Sequence, residues 1–425
     1  MIKLQLFFFA AILCVSFQVA SAQNDCDGNR YRFMSAFESF DVTLDVVYGN
    51  AINSTGLNQN LVVDIYEPFG DSNQSRPLII LAHGGFFLGG DNDNADVLSL
   101  CQDLTRMGYV VASITYRLGL DNFFDISNSL VRSVWRGYHD GKAAVRYFRK
   151  TEAEEGNPWG IDPDRIMMGG VSAGAFLGLH LAYVDEVSEI PEQVDQTAPG
   201  MAGGLEGESG NPGYSSEVLG VINVAGALKT ADYISEGDVP LVSVHGTADG
   251  TVPFGSDWIT LSGFPIAEVD GSSIIHAAAE ENGVSSCFTI LEGADHVAHV
   301  GDANAYFQTL GTIASVTSSW VCDGYEPLCG AYEYNAVDVQ EWLQKLDGNV
   351  RIFPTLINGT SPIQVQWLNG NTEINPWSIF DATGKLVSSG VWMPGQNEIP
   401  VIGLSAGMHL LRFTNSADAS KFWVQ

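Results

Sequence analysis

The chain has 425 residues, enough for one large domain and a smaller one, and its 45% hydrophobic and 11% aromatic content is that of a globular protein. Against 19 Lys+Arg stand 50 Asp+Glu, a formal net charge of -31. With no cationic excess to exchange for counterions, nucleic acid and anionic membranes are excluded as partners.

The chain opens with Lys3, an apolar run from Leu4 to Phe17, and Ala20-Ser21-Ala22, a small-residue cleavage pattern. This reads as a signal peptide over 1–22, too short for a membrane span. No later window is long and apolar enough to cross a bilayer, so no stable membrane insertion is expected. Export permits disulfides. Loss of Cys14 leaves Cys26, Cys101, Cys287, Cys322 and Cys329, an odd number. Cys322 with Cys329 is the pair nearest in sequence, and Cys26 with Cys101 is the remaining guess.

Residues 23–322 alternate short apolar runs with helical periodicity, the pattern of a mostly parallel sheet with helices on both faces. Strands are expected at Val42–Val47, Leu61–Tyr66, Leu78–Leu81, Val110–Ile114, Arg165–Gly169, Val218–Val224, Leu241–His245 and Phe288–Leu291. Helices are expected at Ala95–Met107, Ser129–Lys150, Ala173–Tyr183, Ser272–Glu281 and Ala303–Trp320. No helix separates the earliest strands, which predicts an antiparallel edge. Ser188–Ser216 breaks the rhythm with Gly, Pro and acids, and reads either as a flap beside the site or as a surface insertion. A linker follows over 323–349. Residues 350–425 then carry six short strand-like runs with polar turns: Ile363–Trp367, Trp377–Phe380, Lys385–Ser389, Asn397–Val401, Met408–Phe413 and Lys421–Val424. These predict a small β-sandwich. The expected class is therefore α/β, an eight-stranded sheet plus a C-terminal sandwich.

The chemistry centres on Gly170-Val171-Ser172-Ala173-Gly174, between a strand and a helix. A serine on such a turn stands above the sheet, and glycine is needed at Gly170 and Gly174 because side chains there would meet neighbouring backbone. A hydroxyl needs a base, and the base an orienting acid. Asp249 follows the strand Leu241–His245, and His296 follows Phe288–Leu291, giving the order Ser, Asp, His. His299 is the rival base. His245 reads as structural, and Asp295 and Glu292 are too close to His296 to orient it. His83-Gly84-Gly85-Phe86 follows the strand Leu78–Leu81; its Gly85 and Phe86 N–H groups, with that of Ala173, are assigned to an oxyanion hole.

Together with Tyr116-Arg117-Leu118, Gly160-Ile161-Asp162-Pro163-Asp164-Arg165-Ile166 and His245-Gly246-Thr247-Ala248-Asp249, these motifs resemble the α/β-hydrolase esterases, of the bacterial feruloyl-esterase-like and carboxylesterase group. The resemblance implies an α/β-hydrolase fold and hydrolysis of a small-molecule or polymer-linked ester through an acyl-enzyme. A serine exopeptidase resembling the prolyl-oligopeptidase group and a non-catalytic surface binding protein are the alternatives. The tail, through Pro354, Ile379-Phe380-Asp381-Ala382-Thr383-Gly384-Lys385, Gly395-Gln396-Asn397, Leu404-Ser405-Ala406-Gly407-Met408 and Lys421-Phe422-Trp423-Val424, resembles the sorting domain of the type IX secretion system of Bacteroidetes. That implies the type IX machinery as a partner and an extracellular or cell-surface destination.

Asp91-Asn92-Asp93-Asn94-Ala95-Asp96 is rich in oxygen ligands but lacks the glycine and glutamate of an EF-hand, and reads as a helix-capping loop. Arg136 and Asp140, one helical turn apart, are expected to pair. Phe86, Phe87, Phe123, Phe124, Tyr214 and Trp258 are candidates for an acyl pocket. No phosphate loop, dinucleotide fingerprint, haem motif or zinc spacing occurs, so no cofactor or metal is expected.

Overall fold

The computed structural model describes residues 25–261 and 264–329, and in the C-terminal segment 350–353, 356–357, 362–367, 375–381, 386–393, 396, 398–401, 404, 407–413 and 419–424. The expected signal peptide, linker residues 330–349, Pro354 and the turn residues 382–385, 394–395 and 397 lie outside the described residues.

In chain order the catalytic-size unit runs β1 (Phe40–Ile52), β2 (Asn58–Pro68), β3 (Arg76–Ala82), α1 (Ala95–Arg106), β4 (Val110–Ile114), α2 (Ile126–Glu155), β5 (Ile161–Val171) and α3 (Ala173–Tyr183). It continues with β6 (Val221–Val224), β7 (Ala227–Leu228), β8 (Leu241–Gly246), β9 (Ser256–Leu261), β10 (Phe264–Gly271), α4 (Ser272–Glu281), β11 (Ser286–Leu291) and α5 (Ala303–Val321). Eight strands form one sheet in the order β1-β2-β4-β3-β5-β6-β8-β11. β1–β2 and β2–β4 are antiparallel, the remaining pairs parallel. All eight expected strands and all five expected helices are present, shifted by a few residues at their ends.

Why the sheet takes helices on both faces follows from the pleat. Successive side chains of a strand point to opposite sides. Leu78, Ile80 and Ala82 of β3, with Ile166 and Met168 of β5, meet Trp135 and Phe148 of α2 and Leu177 of α3. Ile79, Leu81, Met167 and Val171 meet Leu100 and Leu104 of α1 and Leu310 and Ile313 of α5. Every residue of β3 is buried, which is why it reads as an unbroken apolar run. Each such Leu or Ile contributes roughly 1.5–3 kcal/mol. This topology and layering are those of the α/β-hydrolase fold.

Three strands were not expected: β7, β10 and β9 form a separate antiparallel sheet between β8 and α4. Pro265 inside β10 masks its strand character, because proline cannot donate to a ladder. Ser188–Ser216 lies against α2. Arg146 donates to the carbonyl of Gly210 and to Glu206, and Ser209 Oγ donates to Asp140 at 2.6 Å. Arg136 and Asp140 do not pair as expected. Arg136 bonds Asp121 at 3.2 Å, and the fully buried Asp140 bonds Arg117 at 2.8 Å. Arg117 also donates to the carbonyls of Ile52 and Gly200, so this pair joins β1, the loop after β4, α2 and the inserted segment.

The disulfides also differ from the expected pairs. Cys26 bonds Cys322 and Cys287 bonds Cys329, while Cys101 is free and buried among α1 side chains. Sequence proximity misled because pairing needs Cα atoms about 4.4–6.8 Å apart in space, and here they are 5.6 and 5.1 Å.

In the C-terminal segment, Val350–Phe353, Ile363–Trp367 and Glu398–Ile399 form one sheet. Leu356–Ile357, Asn375–Asp381, Leu386–Trp392, Gly407–Phe413 and Ala419–Val424 form the other. Ile363, Val365 and Ile399 share one core with Trp377, Ile379, Leu411 and Val424, so the two sheets pack as a sandwich.

Candidate active site

β5 delivers Ser172 to the top of the sheet. Its backbone is held at φ 52°, ψ -117°, unusual for a residue with a side chain. The turn is over-determined: Ser172 N–H donates to Val224 at 2.8 Å, and its carbonyl accepts from Phe176 at 3.0 Å. A Cβ on Gly170 or Gly174 would run into the carbonyl oxygen of Ala82, so both glycines are required by close approach.

His296 sits in the loop after β11. Its Nε2 lies 2.9 Å from Ser172 Oγ and its Nδ1 2.7 Å from Asp249 Oδ2. Asp295, considered as an acid, instead fastens this loop, its Oδ1 accepting from the backbone of His296 and of Gly250. Glu292 lies near Thr247 at the surface. The Asp249 carboxylate has no exposed surface and is fully subscribed. Oδ1 accepts from the backbones of Thr251 (2.8 Å) and Val252 (2.9 Å); Oδ2 accepts from His296 and from His245 Nε2 at 3.0 Å. Burial pushes its carboxyl up, but the donors from His245 and His296 outweigh that and hold it well below the usual range. The structure thus brings Ser172, His296 and Asp249 into one hydrogen-bonded chain. His299 is not in it: its Nε2 bonds the carbonyl of Asp96, and burial pushes the ring down to about 4.

The loop after β3 faces the same point. Gly85, Phe86 and Phe87 all have positive φ, at 118°, 62° and 58°. Tyr116 OH donates to the carbonyl of His83 at 2.8 Å, and the His83 ring stacks on Tyr116. His83 Nδ1 lies 2.6 Å from the carbonyl of Gly84, so the ring braces the loop, and burial lowers its pKa. Gly84 N–H is taken by Asp96 Oδ2 at 2.7 Å. Among the described residues, no hydrogen bond occupies the N–H groups of Gly85 and Phe86. Ala173 opens α3, where an N–H has no carbonyl four residues back. Asp96, unnoticed in sequence except as part of the acidic loop, lies directly behind Gly84: a Cβ on that glycine would be 2.7 Å from Asp96 Oδ2 and 3.3 Å from Ser172 Cβ.

Of the aromatic candidates, Phe87 is buried against Tyr116, and Phe86 is half-buried at the oxyanion loop. Phe123 and Phe124 project into solvent, and Trp258 is half-exposed on the β9–β10 hairpin. Tyr214 bonds Glu154 at the end of α2, outside the site.

A protein-family profile described as BD-FAE matches residues 63–202, which include the oxyanion loop and Ser172. Acylcarnitine hydrolase of Rattus norvegicus is 33% identical over 117 residues, 27% of this chain and 19% of that protein. Gut esterase 1 of Caenorhabditis briggsae is 28% identical over 163 residues, 37% of this chain and 24% of that protein. The chain thus spans about a fifth to a quarter of the length of these curated relatives. Among solved structures, Thermogutta terrifontis esterase 2 phosphorylated by paraoxon is 23% identical with a TM-score of 0.47, covering 67% of this chain and 95% of that one.

Proposed function

We propose that this protein is a secreted serine carboxylic-ester hydrolase. The observation that carries the reading is the unbroken chain from Ser172 Oγ through His296 to Asp249, with contacts of 2.9 and 2.7 Å, beside a loop with unoccupied N–H donors. The BD-FAE match and the esterases among its relatives support it. Ser172 Oγ attacks the ester carbonyl while its proton passes to His296 Nε2. The oxygen of the tetrahedral intermediate is received by the N–H groups of Gly85, Phe86 and Ala173. Collapse expels the alcohol, which takes the proton back from His296 and leaves an acyl group on Ser172. Water, deprotonated by His296, then releases the acid and restores the serine.

The expected substrates are small-molecule or polymer-linked carboxylic esters. The reading includes removal of residues 1–22 and passage across the outer membrane through the tail over 350–425.

Ser172→Ala should lower hydrolysis of p-nitrophenyl butyrate by roughly four orders of magnitude or more while the thermal midpoint stays close to the parent's. A fluorophosphonate should label the parent at Ser172 and leave the variant unlabelled. Residual turnover within about tenfold of the parent would assign the nucleophile elsewhere.

A further inference from the structure

His245 occupies the end of β8, fully buried, four residues before Asp249. Its Nδ1 lies 2.7 Å from Ser272 Oγ, at the first residue of α4. Ser272 Oγ in turn lies 3.0 Å from Asn223 Nδ2 on β6. An amide nitrogen can only donate, so the serine oxygen accepts from Asn223 and turns its own O–H towards His245 Nδ1. An imidazole accepting at Nδ1 is neutral and carries its proton on Nε2. That Nε2–H points at Asp249 Oδ2, 3.0 Å away, the same oxygen that His296 Nδ1 contacts at 2.7 Å. The donors therefore run one way, from Asn223 through Ser272 and His245 into Asp249.

We propose that His245 is a positioning residue of the catalytic chain: a neutral second imidazole that fixes the Asp249 carboxylate and draws part of its charge away from His296. This rests on the ester-hydrolase reading. Three carboxylates act on the His296 ring. Asp249 touches it, Asp295 accepts its backbone N–H, and Asp96 acts through space from α1. Neutral His299 lies on the Asp96 side, and Ser172 completes the surround. Every one of the three carboxylates favours the protonated ring, and a protonated ring cannot take the serine proton. A second donor on Asp249 Oδ2 opposes that pull.

Two replacements separate the halves of the histidine. His245→Gln can place an amide N–H near the Nε2 position and keep the bond to Asp249. His245→Asn can still meet Ser272 but is too short to reach the carboxylate. The measurement is the pH profile of kcat and kcat/KM on p-nitrophenyl acetate, with thermal midpoints for each protein. The Asn variant should lose roughly tenfold or more in kcat, the worth of a hydrogen bond to a charged group. Its acid limb should also move to higher pH by about half a unit or more, as charge returns to His296. The Gln variant should keep the parent's limb. A parental limb in the Asn variant, or equal losses in both that track their thermal midpoints, would overturn the proposal. Should neither variant fold, Ser272→Ala decides: a limb displaced upward supports the proposal, and an unmoved one sinks it. A parent inactive on the ester tells instead against the hydrolase reading.

Discussion

Asp96 is held in surroundings that suit its neutral form. Its Oδ2 accepts from Gly84, its Oδ1 has no hydrogen-bond partner, and burial pushes the carboxyl up to about 6. A folded-state pKa above the ordinary 3.8 means that folding favours the proton. The associated stability is complete below about 4 and is lost as pH rises through about 6, a swing on the order of 3 kcal/mol. Asp96→Asn keeps a side-chain oxygen for Gly84 N–H and removes the charge. The thermal midpoint of the variant relative to the parent should therefore rise by several degrees between pH 4.5 and pH 8. A constant difference across that range would mean the carboxyl does not titrate there. Asp249, also buried, behaves oppositely because four N–H donors meet its charge. What separates the two acids is the number of donors aimed at them, which no residue spacing reveals.

At the scale of elements, the sheet was readable because parallel strands buried on both faces become apolar runs, as in Leu78–Leu81. Ser172, Asp249 and His296 were readable as a set because each follows a strand's end at the same rim. The β9–β10 hairpin was not, with Pro265 in one strand and Trp258 exposed on the other. Nor was His245, whose partner depends on how the loop after β8 folds back. The end of the hydrolase unit also needed the structure. Beyond α5, Leu328 N–H donates to Ser315 and Cys329 is bonded to Cys287, so the chain is fastened to this unit as far as Cys329. A protein ending at Gly330 should retain activity and stability. One ending at Asp323 leaves Cys287 unpaired and should be less stable by about 2–4 kcal/mol under oxidising conditions. Denaturant midpoints of the two, with and without reductant, check this; equal stability when oxidised would remove Cys329 from the account.

For the whole molecule, the formal charge of -31 fits a protein that must stay dispersed in a salty exterior, where screening relieves its self-repulsion. Among the described residues, no helix is long and apolar enough to cross a membrane. The proposed route out of the cell therefore relies on the two ends of the chain. Residues 350–425 fused to a fluorescent reporter with a signal peptide should carry it into the medium or onto the surface of a host with the type IX system. Retention in the periplasm of that host would reduce the tail to an accessory sandwich. The bond between Cys26 and Cys322 gives the division between the parts a topological meaning. It turns the whole stretch from the first described turn to the end of α5 into a covalent ring, with Ser172, Asp249 and His296 all on its circumference. The sorting tail hangs outside that ring. A processing protease that severs the tail thus cuts a pendant thread, whereas one that nicks a loop within the ring only opens it, and the two new ends stay tied together.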